Sequence, residues 1–244
     1  MNEPVPRRYV DRIRLHELRA IRHHFPHQGR ALDLGAGSGF HAALLASWGY
    51  GVDAIDIAGR RVPDAVYFDV AEYDGRVMSF SDGVFDVVLA SHVLAHVRDA
   101  PKVLAEVRRV LKPGGVAIFI VPTVSWRVWT SLLYPLAHVK RLMFANRGGG
   151  APGPPRPLTR RRLLNAFVSP PLGTAPSSFH ELIRFRRPHW RRLLSENGLR
   201  VVDMVPGTLY YTGHLLLPLS ITARQWLSHV LGSGTLTWIT TVSR

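Results

Sequence analysis

The stretch Arg30-Ala31-Leu32-Asp33-Leu34-Gly35-Ala36-Gly37-Ser38-Gly39-Phe40-His41, continued by Tyr50-Gly51-Val52-Asp53-Ala54-Ile55-Asp56-Ile57, decides how this chain is read. A short apolar run ends in a glycine-rich turn, and the turn opens into the helical pattern Ala42-Ala43-Leu44-Leu45-Ala46-Ser47-Trp48. A second apolar run closes on the acid Asp56. This is a β-α-β unit with glycines at its first turn and a carboxylate at the tip of its second strand. Glycines let backbone approach a ligand at the carboxyl edge of a parallel sheet, and a strand-tip acid can take the two hydroxyls of a ribose.

Spacing narrows the ligand. A dinucleotide turn wants G-x-G-x-x-G to bring a helix N-terminus onto a pyrophosphate. Here Gly35, Gly37 and Gly39 stand one residue tighter, Asp33 precedes them, and no Lys or Arg lies inside the turn. A phosphate-free adenosine carrying an amino acid tail fits better. The pattern D-x-G-x-G-x-G resembles motif I of the class I S-adenosylmethionine-dependent methyltransferases. Three further stretches stand in that family's order: Asp69-Val70 after the apolar Ala65-Val66-Tyr67-Phe68, with strand three read over about 65–69 and ending on Asp69; Phe80 to Val97, which resembles motif IV and the helix after it; and Glu106 to Gly115, which resembles the turn before strand five. The Pro122-Thr123-x-x-Trp126 after strand five and Tyr210-Tyr211-Thr212-Gly213 look like bacterial type-11, UbiE-like members.

The resemblance implies a Rossmann-like α/β fold, a seven-stranded sheet of order 3-2-1-4-5-7-6 with its last strand antiparallel and a helical insertion after strand five. It divides the chain into an N-terminal helix or lid (1–29), a cofactor-binding core (30–122), a basic insertion over the acceptor (123–180) and a C-terminal completion of the sheet (181–244). S-adenosylmethionine is the cofactor it implies. Gly35, Gly37 and Gly39 with Asp33 would hold the cofactor's tail, Asp56 and Ile57 the ribose end, Asp69 the adenine amino group and the Val70 amide a ring nitrogen. Strand four, read as Val84–Ala90, delivers Ser91 and His92 to the methionine end. His92 and His96 are four apart on an expected helix and share a face. They and His214 are the candidate bases for an oxygen acceptor. The related pattern S-H-V-L-E-H has a Glu where this chain has Ala95, which removes one candidate acid from the rim.

Composition sets bounds. A chain of 244 residues with 46% apolar content can bury a real core. No run of about 18 apolar residues appears, and the N-terminus lacks the apolar core of a signal peptide, so the expected location is cytoplasmic. Without cysteine there are no disulfides or thiolate metal sites. His23, His24 and His27 around Pro26 lack a locally spaced fourth ligand, and no carboxylate set for a metal stands out, so a metal-free enzyme is expected. The net charge of +14 is unevenly spread: residues 1–30 carry +4, residues 31–121 carry −3 and residues 122–200 carry +12. The basic segment is either a solvated face or the footprint of an anionic partner, such as a lipid-linked substrate, a membrane surface or nucleic acid.

The remaining elements are read from periodicity. Tyr9–Arg22 is an amphipathic helix that is either a lid over the cofactor edge or cover for the sheet. Ser125–Phe144 is helical, aromatic and basic; it either anchors at a lipid interface, with Trp and Tyr at headgroup depth and Lys140, Arg141 and Arg147 meeting lipid, or packs the insertion onto the core. Asn146–Pro157 reads as a Gly/Pro linker and Leu158–Phe167 as a helix. Arg184–Leu199 resembles the last helix of the fold, and the residues from Thr208 to His214 offer polar and aromatic groups for an acceptor. The favoured reaction is direct methyl transfer to an oxygen of a small-molecule, glycan or lipid-linked acceptor. An RNA methyltransferase on the basic face and a non-catalytic cofactor-binding scaffold are the alternatives.

Overall fold

The computed structural model describes residues 3–59, 66–144, 169–210 and 219–242, with helix backbone but no side chains described from 137 to 144. Seven strands form one sheet in the order β3-β2-β1-β4-β5-β7-β6. In chain order they are β1 (Arg30–Leu34), β2 (Gly51–Ile57), β3 (Ala71–Tyr73), β4 (Phe85–Ser91), β5 (Leu111–Pro122), β6 (Leu199–Pro206) and β7 (Thr235–Val242). β1 pairs in parallel with β2 and β4, and β4 with β5, while β7 runs antiparallel between β5 and β6. The helices are α1 (Tyr9–Ala20), α2 (Phe40–Ser47), α3 (Ala100–Val110), α4 (Val124–Phe144), α5 (Ser178–Arg184), α6 (Arg187–Glu196) and α7 (Ile221–Leu231).

The central strands read as continuous apolar runs because both faces of the sheet are covered. Their side chains alternate between two cores. Leu32, Leu34, Val88, Ala90, Ala117 and Phe119 join Val103 and Val107 of α3 and Trp190 and Leu194 of α6. Ala31, Val87, Leu89, Ile118 and Ile120 face the other way, onto Leu18 of α1 and Leu44 and Leu45 of α2. α3 starts as helices prefer, with Asp99 accepting from the Lys102 amide and Pro101 in the first turn. The expected sheet order and the antiparallel last strand are both found, and α4 and α7 lie where periodicity places them.

Two local expectations are corrected. The third strand is Ala71–Tyr73, whereas residues 66–70 form no strand. Those residues are instead folded over the glycine turn: the Tyr67 amide donates to the Ser38 carbonyl at 2.9 Å, and the Tyr67 hydroxyl donates to Asp11 of α1 at 2.7 Å. The Tyr67 amide, spent on the turn, is not available to a ladder with β2. Second, no helix connects β4 to α3, so His92 and His96 do not share a helical face; the segment is a turn closed by the His96 amide on the Val93 carbonyl at 2.8 Å. His92 itself adopts φ 59°, a left-handed conformation that no α-helix contains. The last helix, read at Arg184–Leu199, is found as α6, and a short helix, α5, precedes it.

α4 is attached on two sides. Arg127, at 1% exposure, pairs with the equally buried Glu181 of α5 at 3.1 Å and donates to the carbonyls of Ser169 and Pro170. Glu181 in turn accepts from the amides of Leu172 and Gly173. Backbone carbonyls and amides and the Ser178 hydroxyl meet most of the pair's other polar atoms, though not Arg127 Nε, and removing one partner would leave a buried charge. On its other side α4 meets α7, where the Trp129 indole N–H donates to the Leu231 carbonyl at 2.9 Å. Trp126 packs toward Phe185 and Trp129 toward Tyr210, so both tryptophans point inward, as the packing reading of this helix requires. The linker 146–157, the helix read at 158–167 and His214 lie outside the described residues.

Candidate functional site

The glycine turn leaves β1 with all three glycines at positive φ, 73° at Gly35, 55° at Gly37 and 73° at Gly39. A Cβ at Gly35 would stand 2.4 Å from a methyl of Val93, and one at Gly39 would stand 2.7 Å from the Cβ of Phe68. Nothing lies within 4 Å of the equivalent point at Gly37. The turn is therefore packed from behind at two glycines and open at the third. At its open side the Gly37 amide donates to Asp56 Oδ2 at 2.8 Å, and the Ile57 amide donates to Oδ1 at 2.7 Å.

A cavity of about 500 Å³ lies along this carboxyl edge of the sheet. Of the residues singled out in the sequence, Gly35, Asp56, Ile57, Ser91, His92 and His96 line it. Asp33 and Gly39 are buried behind the turn, while the exposed Asp69 and the buried Val70 do not line the cavity. The acid at the tip of the true third strand is Asp74, which does line it, with Oδ1 accepting from the amides of Arg76 and Val77. These amides hold the Asp74 carboxyl below its usual range. The Asp74-Gly75 dipeptide, a turn signal in its own right, was the clue in the sequence to where the strand ends.

Asp33 is 1% exposed, and neither carboxylate oxygen has a well-formed hydrogen bond among the described residues. Burial pushes its pKa up to about 7; the nearby Ala42 amide opposes that, Asp56 reinforces it and Arg14 opposes it weakly. His41 shows the mirror effect, with burial and then Arg14 holding it down to about 3. Burial and the same Arg14 also place His92 well below the usual imidazole range, so both rings are neutral at physiological pH.

α1 closes this edge with two charged side chains that sequence reasoning had not singled out. Glu17, at 5% exposure, accepts from Thr235 Oγ1 of β7 at 2.8 Å and from Arg14 at 3.2 Å, and its Oε2 is 4.0 Å from His92 Nε2. Arg14 also donates to the Ser91 hydroxyl at 3.4 Å. The clue was available: Glu17 falls midway between Ile13 and Ile21, on the apolar stripe that α1 buries. An acid on such a stripe needs partners, and they come from strands far along the chain.

Thr235 also lines a second cavity, of about 620 Å³, at the same sheet edge. Its walls are the start of α4 at Ser125, the α5–α6 junction at Phe185 and Arg187, Thr208 after β6, and Gln225 and His229 of α7. Glu17 thus stands between the two cavities, bonded to a wall of one and close to a wall of the other. Among the described residues no group of three or more His, Cys, Asp or Glu is placed to hold a metal; His24 instead meets Asp203 at 3.4 Å.

Residues 32–119 match the family model described as a methyltransferase domain, a span that runs from β1 into β5 and contains the glycine turn, Asp56, Asp74, Ser91 and His92. The chain carries a class I, S-adenosylmethionine-dependent methyltransferase domain. Relatives of the domain include the demethylmenaquinone methyltransferase of Renibacterium salmoninarum, 38% identical over 104 residues, covering 38% of this chain and 43% of that protein. The ubiquinone biosynthesis O-methyltransferase of Thiobacillus denitrificans is 33% identical over 99 residues, covering 37% of this chain and 43% of that one. The chain thus spans less than half the length of these curated relatives. The match to the S-adenosylmethionine-dependent methyltransferase structure from Mesorhizobium loti covers 92% of this chain and 97% of that one, with a TM-score of 0.55 at 18% identity. At that identity the likeness concerns the fold, and it extends the methyltransferase architecture over the whole sheet.

Proposed function

We propose that this chain transfers a methyl group from S-adenosylmethionine to an oxygen of a small-molecule, glycan or lipid-linked acceptor. The observation that carries the reading is the cavity that gathers Gly35, Asp56, Ser91 and His92 at the carboxyl ends of β1, β2 and β4. The residues fit the cofactor. Gly37 is open to close backbone approach, Asp56 presents a carboxylate for a ribose diol, and Asp74 stands at the strand tip beyond it for the adenine amino group. Asp74 replaces Asp69 in that role. The amino acid tail is a zwitterion: the Arg14 guanidinium near Ser91 offers one charge, and the Asp33 carboxyl behind the turn, kept partly protonated by burial, would ionise against the cofactor's ammonium.

When bound, the cofactor supplies an activated methyl on a sulfonium and a neutral thioether as leaving group. The work left to the protein is alignment, exclusion of water and handling of one proton. α1 covers the edge through Arg14 and Glu17, which separates the reacting end from solvent. His92 Nε2, neutral and buried, accepts the proton of an acceptor hydroxyl, and the Glu17 carboxylate 4.0 Å away stabilises the imidazolium that results. The acceptor occupies the second cavity, beyond Thr235. The Thiobacillus relative is an O-methyltransferase by name, which supports transfer to oxygen.

Titration calorimetry with S-adenosylmethionine and with its demethylated product tests this directly. Micromolar binding by the wild type, lost in Asp56→Ala, is the expected result. A folded wild type that binds neither compound would overturn the proposal.

A further inference from the structure

α4 has an outward face without charge. From Val124 to Val139 its one charged side chain is Arg127, and that side chain is turned inward and buried against Glu181. Ser125, Trp129, Leu132 and Leu136 fall at i, i+4, i+7 and i+11 and so form one stripe. The first two meet the Leu231 carbonyl at the end of α7, and the stripe then runs past α7 uncovered. Leu132 and Leu136 are exposed, as are Trp226 and Val230, one turn apart on α7, and Phe179 and Ile183, one turn apart on α5. Their exposures lie between 47% and 68%. Six large apolar side chains on three helices joined through α4 are more than scattered surface residues.

The exposed side of α5 and α6 is strongly basic. Arg184, Arg186, Arg187, Arg191 and Arg192 are all exposed across α5 and α6, and among the described ion pairs one carboxylate, Glu196, meets any of them. The sequence adds five arginines between 147 and 162. A second copy of the chain would bring the same positive field against itself, whereas a negatively charged lipid surface would match both the ridge and the arginines. The same helices wall the second cavity, through Ser125, Phe185, Arg187, Gln225 and His229. We infer that the face made by α4, α5 and α7 docks on an anionic phospholipid bilayer, with the apolar ridge at the level of the headgroups and the arginines of α5 and α6 on lipid phosphates. No helix of the described residues is long and apolar enough to cross a membrane, so the contact is peripheral.

The test is flotation of the full chain with vesicles of phosphatidylcholine alone and with an equal share of phosphatidylglycerol. Binding to the anionic vesicles, weakened by salt and reduced about tenfold or more in Leu132→Asp/Leu136→Asp, is expected. Arg191→Glu/Arg192→Glu should weaken binding and flatten its salt dependence, while Val66→Asp, an exposed apolar site elsewhere, should leave it unchanged. Each variant is first shown to melt like the wild type and to keep its cofactor titration, which separates this inference from the methyltransferase reading. Failure of the wild type to bind anionic vesicles, or binding unaffected by the leucine pair, overturns it. A dimer split by the leucine pair, or retention on RNA, without vesicle binding would overturn it as well, in favour of self-association or nucleic acid.

Discussion

Around β1, β2 and β4 the site is made by residues close in sequence: one turn, two strand tips and the residues just after β4 bring Gly35, Asp56 and His92 together. Around β5, β7 and β6 the neighbouring cavity is walled by Ser125, Arg187, Thr208 and His229, which are spread over more than a hundred positions. The first region lies in a stretch of net charge −3, while the second takes its walls from the segment of +12 and from the last strands and helix of the chain. A shared cofactor can be held by a short motif, because its recognition uses backbone geometry and single acids. The proposed acceptor pocket instead draws its walls from α4, the α5–α6 junction, α7 and the last strands.

Substitutions can break this comparison or sharpen it. The largest effect is expected at Gly35→Ala, where the new Cβ meets Val93 at 2.4 Å and the backbone keeps φ 73°. A loss of about 3 kcal/mol in urea melts is expected, together with loss of cofactor binding. An unchanged melt would show that the turn is less tightly held than the packing implies. Asp56→Ala should next weaken cofactor binding by roughly tenfold to a hundredfold in calorimetry with little change in melting, since a charged hydrogen-bonding group is removed from a partly open site.

Asp33 gives a prediction in pH. Its folded pKa near 7 lies above the ordinary aspartate value of 3.8, so between those values the folded protein keeps a proton that the unfolded chain has released. Its contribution to stability is therefore whole below about pH 4 and is lost as pH rises to 7. His41, held down to about 3, works in the opposite sense, adding stability as pH rises from 3 toward 6.5. Asp33→Asn should raise the melting temperature of the cofactor-free protein more at pH 8 than at pH 5, and weaken cofactor binding. An equal gain at both pH values would show that the carboxyl ionises freely in the folded state.

The smallest effect is expected at Thr235→Val, which removes the donor to Glu17 Oε1 at a cost of about 1 kcal/mol in thermal or urea unfolding. Cofactor affinity should be unchanged. If Thr235→Val instead weakened cofactor binding as strongly as Asp56→Ala, the two cavities would have to be treated as one site.

How much of this was legible in the sequence depends on the range of the interactions. The glycine turn and Asp56 could be read because each rests on local backbone chemistry, whereas the strand order came only with the family resemblance that those motifs carry. The third strand was misplaced because Ala65–Phe68 has the apolar look of a strand, and only the bonds of Tyr67 to Ser38 and Asp11 show that residues 66–68 fold over the turn. The helix expected at His92 fails for a related reason, a left-handed backbone at a position whose side chain gives no warning.

The sequence by itself determined the β-α-β unit, the chemistry of its turn and the lopsided charge, because these depend on residue type and spacing alone. The tertiary structure decided that Arg127 turns inward and leaves the outer face of α4 apolar, and that Glu17 joins Thr235 across 218 positions. It also decided that Asp74 rather than Asp69 stands at the strand tip. A buried charge and an uncovered stripe are defined by their neighbours, and those neighbours meet only when the sheet closes.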